Sequence, residues 1–211
     1  MRYVIIVPSI YRPWTTRCVA SMNVHKLSNL VIVDNVPPNE NLGVAGSWNV
    51  GARRVLDQNL DWLVICSAAC RFGAPHGQDW LDALDAAQHD GAVAVEAAHG
   101  IGWHLIAFSR QLIERVGLFD ENFYPAYFED NDYSWRIKCA YDLSPPYWPK
   151  VSVDVAIAGF RHGIDLGGAQ PARVEDQLSY YREKWGGAPG DEKFTRPWNV
   201  HTLDYWPERQ S

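Results

Sequence analysis

The 211-residue chain is short of positive charge, with 19 Lys and Arg against 25 Asp and Glu and a formal net charge of −6. A protein held to duplex DNA or acidic lipid mainly by neutralising phosphates needs the opposite balance, so a dedicated nucleic-acid binder is not the leading class. Long apolar runs are missing as well. The best candidate, Gly91 to Phe108, is broken by Glu96, His99 and His104, so no membrane span is expected and the chain reads as soluble. The opening Tyr3 to Val7 stops at Pro8 and is followed by Arg12 and Arg17 without a small-residue cleavage site, which suits a buried first strand better than a signal peptide. Cysteine is scarce: Cys18, Cys66, Cys70 and Cys139 form neither a disulfide framework nor a C-x-x-C zinc pair. Reduced thiols and a cytoplasmic location are the expectation.

What the chain does have is aromatic surface, with 10 Trp and 10 Tyr, inside a composition of 47% hydrophobic and 21% charged residues that suits one globular domain. Strand-length apolar runs alternate with amphipathic stretches, the pattern of an α/β domain with a mostly parallel central sheet flanked by helices. Strands are expected over Tyr3 to Pro8, Leu30 to Asp34, Trp62 to Cys66, Ala92 to Glu96, His104 to Phe108 and Val151 to Ala158. Val44, Trp48, Gly51 and Val55 recur on one helical face. Asp79, Ser109 and the Asp130/Asp132 pair are placed to cap three further helices, and Val174 to Lys184 reads as a last one. Residues 1–160 are expected to form the core, with 161–211 a helical and aromatic lid or acceptor-side extension of the same domain.

The most informative stretch is Gly117 to Arg136, in which Glu129, Asp130 and Asp132 follow a run of aromatics and open a helix. One reading is purely structural, because a helix N-terminus favours anions. The other is a general base set among rings on which a sugar stacks, Asp at a helix start staying ionised as a proton acceptor must.

This stretch resembles the "GxFDExFFxxYxEDxDxxxR" segment of family-2 glycosyltransferases with the GT-A fold. Four other pieces are similar to that family in the same order: Ile5 to Arg12, Val31 to Asn35, Asn41 to Gly51, and Tyr181 to Gly187, the last matching "YxxKWGG". The resemblance implies an enzyme, an inverting glycosyltransferase that moves a sugar from a nucleotide-diphosphate donor to an acceptor hydroxyl. By motif position, Pro8, Ser9, Tyr11 and Asp34 would frame the nucleobase, Asn41 and Asn49 would line the donor side, and Asp130 would be the base, with Asp132 and Glu129 as alternatives. Trp103, His104 and Tyr127 would face the acceptor, which is a glycan, a protein or a modified nucleic acid. A homodimer is compatible with the aromatic C-terminal third.

The sequence departs from the family at the acidic "DxD" element, where Ser67, Ala68 and Ala69 stand in place of the carboxylates that hold a divalent cation, Mn or Mg. Three explanations remain open: a metal held by other ligands such as His162, leaving-group stabilisation by Arg71 or Arg161 without metal, or lost turnover in a sugar or sugar-nucleotide binding module. The crossing from Asp34 to Asn41 is also short, which implies a sheet lacking one strand of many relatives.

Overall fold

The computed structural model describes residues 1–22, 29–73, 78–98, 103–144, 146–157 and 174–197. Its main sheet has six strands: β1 (Tyr3–Ser9), β2 (Leu30–Asp34), β3 (Trp62–Cys66), β5 (Ala94–Ala97), β6 (Leu105–Ser109) and β7 (Lys150–Val151). They lie in the order β2-β1-β3-β6-β5-β7. β1 pairs parallel with β2 and β3, and β5 pairs parallel with β7, whereas β6 runs antiparallel to both β3 and β5. Five strands thus share one direction, and β6 alone opposes them. A small antiparallel pair, β4 (Cys70–Phe72) with β8 (Val155–Ile157), forms a second sheet.

Both faces of the sheet are covered, which is why its central strands are continuously apolar instead of alternating. Val4 and Ile6 of β1 point to one core with Leu63 and Ile65 of β3, beneath Trp48, Ala52 and Val55 of α2 (Gly43–Asp57). Ile5 and Val7 point to the opposite core with Val64, beneath Cys18 and Met22 of α1 (Arg12–Met22) and Trp80, Leu81 and Leu84 of α3 (Gln78–His89). The result is a three-layer α/β/α arrangement. Gly51 is where α2 comes closest to the sheet, since an added Cβ would overlap the Ile6 and Leu63 side chains. Gly51→Val is therefore expected to lower stability by about 1–3 kcal/mol through overpacking, read as a lower urea midpoint.

Several expectations change. Asp79 lies inside the first turn of α3, which starts at Gln78, and so is not its cap. Helix α1 and strand β4 were not foreseen. The strand expected over Val151 to Ala158 is split between two sheets by Ser152 to Asp154, Ala158 itself lying outside the described residues. Ser109 does cap α4 (Arg110–Val116), its Oγ accepting from the Leu112 N–H at 3.2 Å. Asp130 and Asp132 do not cap α5 (Glu129–Ala140): its N-cap is Phe128 in a left-handed conformation without a side-chain bond, and both carboxylates sit inside the first turn. The last described helix is α6 (Val174–Trp185). No helix among the described residues is long and apolar enough to cross a membrane.

Candidate functional site

One edge of the main sheet gathers most of the motif residues. β1 and β2 end in register at Ser9 and Asp34, β3 ends at Cys66, and β6 starts opposite it at Leu105. In a sheet of this kind the loops beyond the strand C-termini are where ligands bind. Asp34 accepts from Arg12 Nε at 3.0 Å and Asn39 Nδ2 at 3.1 Å, which joins the loops after β1 and β2. Ser9 is buried, its Oγ accepting from Thr15 Oγ1 at 2.6 Å. Pro8 is half-buried beside Val33, and Tyr11 is exposed with its ring edge-on to Trp14.

The asparagines expected on the donor side hold the backbone. Asn41 Oδ1 accepts from the Gly43 N–H at 2.9 Å and so fixes the entry to α2. Asn49, 1% exposed, exchanges two hydrogen bonds with the Phe119 backbone at 2.9 and 2.8 Å and donates to Glu121 at 2.7 Å. Both ends of its amide face the 119–121 segment, a positioning duty that sequence spacing does not show. The Val44 N–H then donates to Pro125 O at 2.8 Å, so the aromatic loop leading to α5 lies against the first turn of α2.

Where the acidic element was expected, the chain makes a turn between β3 and β4. The Cys70 N–H donates to Ser67 O at 2.9 Å and the Ala69 N–H to Ser67 Oγ at 3.2 Å. Ala68 and Ala69 are buried, and the Arg71 guanidinium donates from Nη1 to Ala68 O at 2.8 Å and Cys70 O at 2.6 Å. A divalent cation does not fit this donor set: one hydroxyl already accepts a hydrogen bond, the next two side chains are methyl groups, and no metal-holding group of His, Cys, Asp or Glu exists among the described residues. His162 and Arg161 lie outside the described residues. Beneath the turn, Cys18 and Cys66 thiols meet at 3.8 Å, and all four cysteines are buried.

His104 O accepts the Ser67 N–H at 2.7 Å, which ties the start of β6 to this turn, and burial lowers the His104 imidazole pKa and favours its neutral form. Trp103 is half-buried in a ring cluster with Trp48, Phe108, Tyr133 and Trp148 at centroid distances of 5.0–6.1 Å. Tyr127, half-buried, has φ of 82° and Phe128 φ of 68°. Two consecutive left-handed aromatic residues are costly, of order 1–3 kcal/mol each, and they set the first turn of α5.

The three carboxylates of that turn have separate fates. Asp132 is fully buried: Lys184 Nζ approaches Oδ1 at 2.6 Å, Trp185 Nε1 donates to the same oxygen at 2.8 Å, and Arg136 Nη1 lies 3.4 Å from Oδ2. Lys184 also pairs with Asp120 at 2.7 Å, and Tyr180 donates to Asp120 at 2.8 Å. Burial alone would raise the Asp120 carboxyl, but the Lys184 ammonium and the Asn122 and Tyr180 donors outweigh it and hold its pKa below the usual range. Lys184 and Trp185, from the C-terminal "KW" motif, thus lock α6 onto α5. Asp130 is half-buried, accepts the Asn131 N–H at 2.8 Å and has no paired cation among the described residues. Burial raises its pKa, against the pull of nearby N–H groups. Glu129 is 7% exposed and its Oε2 has no hydrogen-bond partner among the described residues. Burial first, then the neighbouring Asp130 charge, pushes its pKa up to about 8.

Comparison with known proteins adds the following. No protein-family model matches the chain. A galactofuranosyl glycosyltransferase of Leishmania donovani is 64% identical over 31 residues, 15% of this chain. The chain spans 7% of that relative's length. Among solved structures, A197 from STIV is 14% identical with a TM-score of 0.43, over 64% of this chain and 78% of that one. S. aureus TarS 1–349 is 11% identical with a TM-score of 0.47, over 71% of this chain and 60% of its own. TarS 1–349 in complex with UDP-GlcNAc gives 10% and 0.47 over 72% and 59%. With TM-scores this low, the α/β assignment stands on the strand order and layering of the chain itself.

Proposed function

We propose that the chain is a glycosyltransferase that moves a sugar from a nucleoside-diphosphate donor to an acceptor hydroxyl, with inversion and with Asp130 as general base. The observation that carries this reading is the sorting of charge at the start of α5. Asp132 is paired with Lys184 inside the protein, whereas Asp130, two residues earlier, is partly open and has no paired cation among the described residues. A base must accept a proton from the acceptor as it attacks; a carboxylate whose pKa burial has raised does this better than a surface Asp. The short stretch shared with a galactofuranosyl glycosyltransferase supports the same reaction class and places galactofuranosyl transfer among the donors to try.

The donor would lie over the sheet edge, its base between Tyr11 and Asp34 and its diphosphate near the Ser67–Cys70 turn. In place of a metal-holding carboxylate, that turn offers Arg71, whose guanidinium is always charged and suits phosphate oxygens. Charge on the departing diphosphate is then met by a side chain, and no step is routed through a divalent ion. The same missing carboxylate supports a second reading, a sugar-nucleotide binding module that no longer turns over.

Calorimetry with UDP, GDP, dTDP and CMP and their sugar conjugates, galactofuranosyl donors included, tests both readings in Mn²⁺ and in EDTA. One nucleotide bound equally in both media is the expected result; binding lost in EDTA would rule out Arg71 as sufficient. Asp130→Asn is expected to lower transfer by about a hundredfold, some 2.7 kcal/mol, with donor affinity nearly constant. Tight binding without transfer in the unmutated protein would select the binding module.

A further inference from the structure

Two adjacent acidic residues, Glu129 and Asp130, share a poorly hydrated helix start, and two carboxylates so placed do not both ionise easily. Which one keeps its proton is set by burial. Asp130 is half-open to water, whereas Glu129 is more than nine-tenths buried and keeps one oxygen without a partner among the described residues, although Asp120 and Asp132 nearby are multiply paired. A buried carboxyl oxygen with no partner among the described residues calls for an explanation, and a bound group is one of them. Burial and the Asp130 and Asp132 charges on α5 oppose an anion there and outweigh the Tyr127 and Glu129 backbone N–H groups, which favour it. From α6, the Tyr181 hydroxyl donates to Glu192, and Lys184 pairs with Asp120 and Asp132.

Resting on the transferase reading above, we propose that Glu129 works as a neutral carboxylic acid whose Oε2–H donates a hydrogen bond to a sugar hydroxyl or ring oxygen, while the ionised Asp130 beside it takes the proton. Each residue then has one task. Glu129 orients the sugar and Asp130 does the acid–base step, and no proton passes from one to the other. The arrangement predicts an alkaline limit: when Glu129 ionises it turns from donor to acceptor, loses the hydrogen bond it gave to the sugar and adds a second negative charge to the site.

The test uses the full chain labelled with ¹³C at Glu side-chain carboxyls, with the Glu129 resonance assigned by its loss in Glu129→Gln. Its midpoint is expected near pH 8, and saturating UDP-galactofuranose or UDP-galactopyranose should shift the resonance and raise the midpoint. A midpoint below 6, or a resonance unmoved by a sugar nucleotide that calorimetry shows to be bound, overturns the proposal. With the same donors, Glu129→Gln, which keeps a donor and cannot ionise, should lose about threefold or less at pH 7 and none of the further activity that the unmutated protein loses above pH 8. Glu129→Ala should lose tenfold or more. A Gln variant as inactive as Asp130→Asn would make Glu129 a base and overturn the donor role. If none of the calorimetric panel binds, the transferase reading fails by itself, and the titration of the free protein still shows whether Glu129 holds its proton.

Discussion

Lys184→Met should destabilise the protein by about 3–5 kcal/mol, the range for removing one partner from a buried ion pair. The ammonium is fully buried and lies 2.7 Å from Asp120 and 2.6 Å from Asp132, so its removal strands two carboxylates that are themselves without solvent exposure. Neutral donors from Tyr180 and Trp185 remain, and Arg136 stays 3.4 Å from Asp132, but the cation between the two anions is gone. The effect belongs to the charge and not to the packing, since Met matches the length and apolar body of the Lys stem. The triple variant Asp120→Asn, Asp132→Asn, Lys184→Met should therefore recover much of the loss, because unpaired charge is what makes the single variant costly. Urea unfolding of the three proteins checks this; a single variant within 1 kcal/mol of the parent would mean that the ion cluster holds nothing together.

The same cluster shows where sequence reading stops. The "YxxKWGG" stretch stood out as a motif, yet a lysine near a helix end is ordinarily a solvated charge, and nothing local says that its partners lie 64 and 52 residues upstream. Asn49 is similar. Its place in the family motif implied a donor-side amide, whereas it bonds the Phe119 backbone, a contact set by tertiary packing. Five strands of the main sheet were legible because they are apolar runs, whereas the sixth, Lys150–Val151, is only two residues long and one of them is charged. Helix α1 was not, because its buried positions are Thr15, Cys18 and Met22, too weakly apolar to mark a face, and it opens on Arg12-Pro13. The division among Glu129, Asp130 and Asp132 was equally hidden. Three acidic residues in four positions look alike in sequence, and only burial and the reach of Lys184 separate them.

That separation has a measurable consequence for stability. Folding raises the Glu129 pKa from an ordinary 4.5 to about 8, so between these values the folded chain holds a proton that the unfolded chain has released. Stability from this group is fully present below about pH 4.5, declines as pH rises through that window, and is gone above about pH 8. Glu129→Gln has no proton to lose. The variant should match the parent near pH 4 and exceed it by about 4 kcal/mol at pH 9, a gain of about 10 °C in melting temperature for a chain of this size. Asp130 is shifted in the same direction, so its contribution too is lost as pH rises, but it is present in both proteins and its share largely drops out of the difference. Asp120 and Glu192 are lowered, so their contributions are lost as pH falls and shape only the acid arm, again in both. Melting curves of the two proteins from pH 4 to pH 9 should therefore diverge steadily towards the alkaline end. Parallel curves would mean that Glu129 titrates in the folded chain as it does in the unfolded one, and its role as a neutral donor to the sugar would fall with them.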